Sequence, residues 1–150
     1  MKNKVMNYKE FEEFLNKFQI NEKKIYELWG MGKIVERNEN IFITQEKFDE
    51  KEVYHDYIIF IKLNERLLPS KFLLNWIGEN SKTVLFPKNE KIALDFTFSK
   101  DIFLDHIANK VNLQDNIYYV VSYDKSVLGY VQKKQKRLIN KMNIGEYLRE

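Results

Sequence analysis

The sequence predicts an α+β fold. An N-terminal α/β domain with an antiparallel sheet spans residues 1–79, and a smaller β-rich domain spans residues 80–150. Three observations predict this. Apolar residues recur at helical spacing within residues 7–29 and again after Pro69. Short runs rich in β-branched and aromatic residues lie between turn signals. After Glu79-Asn80-Ser81 the pattern changes to mostly short strands.

Phe11, Phe14, Leu15 and Phe18 fall at i, i+3, i+4 and i+7, the stripe of an amphipathic helix. Asn7 and Glu10 have capping-box spacing at its start. Asn21 caps a second helix carrying Ile25, Leu28 and Trp29, and Gly30 ends it. Lys33–Arg37 and Ile41–Thr44 flank Asn38-Glu39-Asn40 and predict a hairpin. Thr44 is placed to cap a short polar helix to about Glu52. Residues 57–63, Tyr-Ile-Ile-Phe-Ile-Lys-Leu, are apolar enough for a central strand. Pro69-Ser70 opens a helix with Phe72, Leu73, Trp76 and Ile77, closed at Gly78.

In the second half Thr83–Phe86 predicts a short strand stopped by Pro87, and Asn89–Phe96 one or two helical turns. Ile102–Ile107 and Ile117–Tyr123 read as strands. Asp124-Lys125-Ser126 turns the chain into Val127–Val131. Leu138-Ile139 predicts a last short strand, and Asn143 with Glu146 a capping box for a terminal helix.

With 150 residues, 44% of them hydrophobic and 15% aromatic, the chain can bury a substantial core, and its mixed charges argue against disorder. There is no cysteine, which removes disulfides, thiolate metal sites and cysteine nucleophiles and fits a reducing, cytoplasmic setting. No apolar run approaches the roughly 18 residues of a membrane span, so no membrane partner is expected. The basic N-terminus has no apolar segment behind it and does not read as a signal peptide.

Catalytic signatures are scarce. His55 and His106 are the only histidines, each beside an aspartate, Asp56 and Asp105. Strand neighbours point to opposite faces, so neither pair forms a dyad by itself. Neither histidine has a second metal ligand at the usual spacing, and no phosphate loop, nucleophile elbow or HExxH motif occurs. The expectation is no catalysis, no metal and no cofactor.

Charge is the informative property. The net charge is +3, but residues 1–79 hold 13 basic and 14 acidic side chains, against 12 and 8 in residues 80–150. From Lys125 to Arg149 there are seven Lys or Arg and one acid, Glu146. Richness in Lys, Asn and Ile is the mark of an A+T-rich coding sequence and accounts for the lysine count, not for its clustering. Such a cluster beside a sheet suggests a polyanion, RNA first. Tyr118, Tyr119, Tyr123 and Tyr130 could stack on bases, or could face the core as alternate strand positions do.

Three stretches carry a resemblance: residues 89–107, "NEKIALDFTFSKDIFLDHI"; Leu128-Gly129 followed by the basic loop; and Ile144-Gly145-Glu146-Tyr147-Leu148-Arg149. In this order the C-terminal half resembles the PUA domain of pseudouridine synthases and archaeosine transglycosylases. The closest likeness is to the archaeal and eukaryotic Nip-seven family of large-subunit ribosome-assembly factors, moderate over residues 84–150 and weak over 25–79. That family usually has glycine where Ser99 stands, and a second glycine where this chain has Val131.

The resemblance implies a PUA-like β pseudobarrel over residues 80–150. It also implies RNA binding by basic side chains ahead of the Gly-Glu motif: Lys136, Arg137 and Lys141, with Lys133 and Lys134 as neighbours. The implied partner is ribosomal RNA or its precursor, in single-stranded segments; the first domain, net acidic, is better suited to dock another assembly factor than to touch RNA. Two alternatives stand beside this reading. One is an accessory subunit that targets an RNA-modifying enzyme; the other is an interaction domain whose lysines are only a solvated face.

Overall fold

The computed structural model describes residues 6–45, 55–109 and 112–148. Helix α1 (Tyr8–Asn16) starts at a complete capping box. Asn7 Oδ1 accepts from the Glu10 N–H at 2.9 Å, and the Asn7 N–H donates to Glu10 Oε1 at 3.0 Å. Helix α2 (Glu22–Trp29) is capped by Asn21, whose side chain accepts from the Lys23 N–H. Phe11, Leu15, Ile25 and Leu28 form their buried faces.

Strands β1 (Lys33–Arg37), β2 (Asn40–Gln45), β3 (His55–Leu63) and β4 (Arg66–Pro69) make an antiparallel meander in chain order. Two hairpins close on two-residue turns with both central φ positive: Asn38-Glu39 (51° and 71°) and Asn64-Glu65 (49° and 62°). That backbone twists as strands do, so it joins them tightly even without glycine. Thr44 lies in β2 with its hydroxyl buried and unpartnered among the described residues; the helix expected after it falls outside them.

Helix α3 (Lys71–Asn80) begins where Ser70 Oγ accepts from the Leu73 N–H at 3.1 Å. It runs through Gly78, which does not stop it; Gly78 faces Val120 and Val127 of the second sheet. Pro69 closes β4, an edge strand and so free of the need for its missing N–H, and Ser70 alone makes the cap.

The second sheet runs β5 (Val84–Leu85), β7 (Tyr118–Tyr123), β8 (Ser126–Lys134), β9 (Arg137–Asn143), β6 (Ile102–Phe103). Only β5–β7 is parallel. The sheet curls into a half-barrel. The segments after β5 and β6 meet at a Pro87–Ile107 bridge, with backbone bonds from Lys88 to His106 and from Ala108 to Phe86. Helix α4 (Glu90–Thr97), capped by Asn89, lies between β5 and β6, and α5 (Gly145–Leu148) follows β9.

Two expectations change here. The strand expected over 102–107 ends at Phe103 and continues as a 3-10 turn, Leu104–His106. The strand expected at 138–139 extends over seven residues, because polar Asn140, Lys141 and Asn143 continue it at its inner and bulged positions.

One face of the second sheet joins the N-terminal core. Val120, Tyr130 and Met142 pack with Phe11, Leu15, Phe18, Ile59, Phe60, Leu73 and Ile77. The other face builds a separate core from Leu85, Phe96, Ile102, Tyr119, Val121, Val131 and Leu138. Phe14 and Phe18 of the first helical segment meet the ring of Tyr130 edge-on.

Candidate nucleic-acid interface

The β8–β9 hairpin carries the basic cluster, and its register decides where each charge points. Lys134 pairs with Arg137 and Lys133 with Leu138 across an antiparallel ladder. Directly opposed residues share a face and successive residues alternate. Lys134 and Arg137 therefore lie together on one face, while Lys133 points to the face of Leu138 and the second core.

Lys133 is committed. Its side chain is only 13% exposed, and its ammonium donates to Asp115 Oδ1 at 2.5 Å. The same oxygen accepts from the Gln135 N–H at 3.1 Å, so Asp115 clamps the turn from outside. Gln135 takes φ 58° there. The Lys133 ammonium first, and the Gln135 N–H second, hold the Asp115 carboxyl below the usual aspartate range.

Lys134, Lys136 and Arg137 stand exposed at or beside the turn. Lys134 and Lys136 have no carboxylate partner among the described residues. Arg137 pairs with Asp101, whose other oxygen accepts from the Asn140 N–H at 2.8 Å. The Lys136 carbonyl accepts from the Leu104 N–H and ties the 3-10 turn to the hairpin.

Lys141 lies elsewhere. The β8–β9 register shifts between Tyr130 and Val131, which leaves Lys141 as the unpaired residue of a bulge. It lines a polar cleft of about 400 Å³ with Asn64, Arg66, Ser99, Asn140 and Glu146. Arg66 bridges both halves: Nη1 donates to Glu146 Oε1 at 2.8 Å and Nη2 to the Lys141 carbonyl at 2.9 Å.

Asn143 also departs from expectation. Glu146 accepts from its backbone N–H, but its side chain does not cap α5. The Asn143 amide instead donates to Ser99 Oγ and Asn140 Oδ1, both at 3.2 Å, and its Oδ1 is buried without a partner. Asn140 Nδ2 donates to the carbonyls of Phe96 and Lys100. The two asparagines thus fix the loop between α4 and β6, where Ser99 takes φ 71°.

Of the five basic residues singled out in the sequence, the hairpin brings three together: Lys134, Lys136 and Arg137. Lys133 turns to the other face and Lys141 to the polar cleft. Arg66, Asn64, Asn140 and Phe103 were not anticipated. None of them carries a sequence signal: Phe103 sits in the unbroken apolar run Ile102-Phe103-Leu104, and Asn64, Arg66 and Asn140 come together only by tertiary packing.

The tyrosines divide as strand alternation requires. Tyr119 and Tyr130 are buried; desolvation first, then the neighbouring Tyr118, pushes the Tyr130 hydroxyl far above its ordinary pKa. Tyr118 stacks on Tyr130, and the Lys17 ammonium lies 5.2 Å from the centre of the Tyr118 ring. Tyr123 is half-buried against the second core.

Asp105 and His106 occupy the 3-10 turn rather than a strand. The side chains of His55 and Asp56 lie outside the described residues. Among the described residues no three His, Asp or Glu side chains gather at metal-binding range, and no helix is long and apolar enough to cross a membrane. No protein-family model matches the chain, and no curated protein matches its sequence.

Proposed function

We propose that this protein binds single-stranded RNA through the β8–β9 hairpin, without catalysis of its own, and assists large ribosomal subunit assembly. The second half is read as a PUA-like pseudobarrel over residues 80–150, with the near-neutral first half offered to another assembly factor. One observation carries the RNA reading. The register places Lys134 and Arg137 side by side on an exposed face, with Lys136 at the adjoining turn. Three exposed cations at one hairpin end suit a flexible phosphate backbone, and the guanidinium of Arg137 can fork onto phosphate oxygens. The curled second sheet is compatible with the pseudobarrel, and the ribosomal assignment rests on the family resemblance alone.

Salt dependence tests the RNA reading. Neutralising about three phosphates on a single strand gives a slope of log K against log salt near −2. The triple variant Lys134→Gln, Lys136→Gln, Arg137→Gln should bind every RNA sequence more weakly and with a flatter slope, while circular dichroism shows it folded. Equal affinities and slopes would remove the hairpin from the interface. Crosslinking in cells, with sequencing of the bound RNA, tests the ribosomal part. Recovery of transfer RNA together with a modification enzyme would favour a targeting subunit instead.

A further inference from the structure

Beside the hairpin lies a hollow that the basic cluster does not explain. Its walls are Phe103, Leu104, Asp105, His106 and Lys136, around a space of about 430 Å³. Phe103 is 53% exposed, although its strand neighbour Ile102 is buried. The His106 ring meets it edge-on at 6.0 Å and 88°. The lining is thus largely aromatic and apolar, with one cation and one carboxylate.

The register links this hollow to the phosphate-facing row. Phe103 pairs with Arg137, and Arg137 pairs with Lys134. The three side chains therefore stand in one row across β6, β9 and β8, on the same face of the sheet. An aromatic ring in line with two cations matches a nucleotide: a base on the ring, its phosphates along the row.

Asp105 adds a chemical preference. It is exposed and makes no hydrogen bond or ion pair among the described residues. An ionised carboxylate only accepts hydrogen bonds. Adenine, cytosine and guanine offer an exocyclic NH2 on their pairing edge. Uracil flanks its single N–H with carbonyl oxygens that a carboxylate repels.

Resting on the RNA reading above, we infer that the Phe103–His106 hollow receives an unpaired base that carries an exocyclic amine. The base stacks on Phe103, Asp105 accepts from the amine, and Lys136 meets the adjoining phosphate. The hollow supplies the base preference and the hairpin cations supply the salt-dependent affinity.

The test uses the full chain with short oligo(A), oligo(C) and oligo(U) in an anisotropy titration. Wild type should prefer oligo(A) and oligo(C) to oligo(U). Phe103→Ala should lose about tenfold in affinity, within the range of one lost base stack, with the salt slope unchanged; Phe103→Trp should retain binding. Asp105→Asn, which can also donate, should erase the discrimination against oligo(U).

Free mononucleotides give a second readout. AMP and CMP should shift the ring resonances of Phe103 and His106, and UMP should not. Equal binding of the three oligomers by wild type, or wild-type affinity in Phe103→Ala, overturns the hollow while leaving the hairpin interface standing. Absence of binding to any RNA overturns the wider reading. Mononucleotides that leave both rings unshifted then overturn the hollow as well.

Discussion

Asp115 sets the electrostatic balance of the hairpin through one carboxylate. Its folded pKa is depressed, so its contribution to the turn is present above the ordinary aspartate range. It is lost as the pH falls through the depressed value. Acidification therefore frees Lys133 and relaxes the turn. Asp115→Asn keeps an acceptor for the Gln135 N–H but removes the negative charge beside Lys133 and Lys134. If the hairpin binds RNA as proposed, affinity should rise at low salt, because the carboxylate no longer offsets the exposed Lys134. An unchanged or lower affinity in the same titration would place this turn off the RNA path.

Gly129 is a residue whose identity is fixed by position. It has φ +147° and pairs with Asn143, and a Cβ there would collide with the Met142 carbonyl and with Asn143 Cα. Gly129→Ala should cost at least about 1–3 kcal/mol from backbone strain alone, read as a lower urea midpoint.

Among the elements, α3 reverses the usual meaning of a glycine. Gly78 looks like a stop in the sequence because glycine favours helix ends. In the fold it is an interior residue, and a Cβ added there would meet Val127 Cγ2 at 3.4 Å, an ordinary contact. Gly78→Ala should therefore stabilise the protein by about 0.5–1 kcal/mol, from helix propensity. A lower thermal midpoint would show that α3 packs on the sheet more tightly than this distance allows.

Elements with local causes were legible in the sequence. The Asn7–Glu10 box, the Asn21 and Ser70 caps and the Asn38-Glu39 hairpin each depend on residues within a few positions. Elements with distant causes were not. The strand β4 is four residues long and follows a turn without glycine, and its second half is buried only because α3 and the core cover it. Polar residues disguise β9, since Asn140 and Asn143 satisfy backbone carbonyls and side chains of the α4–β6 loop far away in sequence. The same limit applied to the site. The cationic cluster was visible as composition, but its division between two faces depends on the ladder register and on a bulge at Tyr130/Val131.

At the scale of the molecule, the junction expected at residues 79/80 falls at the end of α3. The apolar packing does not stop there. Val120, Tyr130 and Met142 belong to the core of the N-terminal helices, Tyr147 donates to the Pro69 carbonyl, and Arg66 joins Glu146. Residues 80–150 produced alone would leave one apolar face of their sheet in water. That fragment should aggregate or bind a hydrophobic dye, whereas the full chain should unfold in one transition by near- and far-ultraviolet dichroism alike. A soluble, cooperatively folding fragment would contradict the shared core.

The same packing has a consequence for the order of events at synthesis. Phe14 and Phe18 leave the ribosome early, but the ring they abut, Tyr130, is made more than a hundred residues later. The Lys17 carbonyl waits almost as long for the Tyr118 N–H. At roughly 5–20 residues per second, that interval lasts about 5–20 seconds. Throughout it the first helices have an apolar stripe and no complete surface to cover it. The nascent α1–α2 segment is therefore a stretch that a chaperone has reason to hold. Final docking is deferred until the last hairpin has emerged.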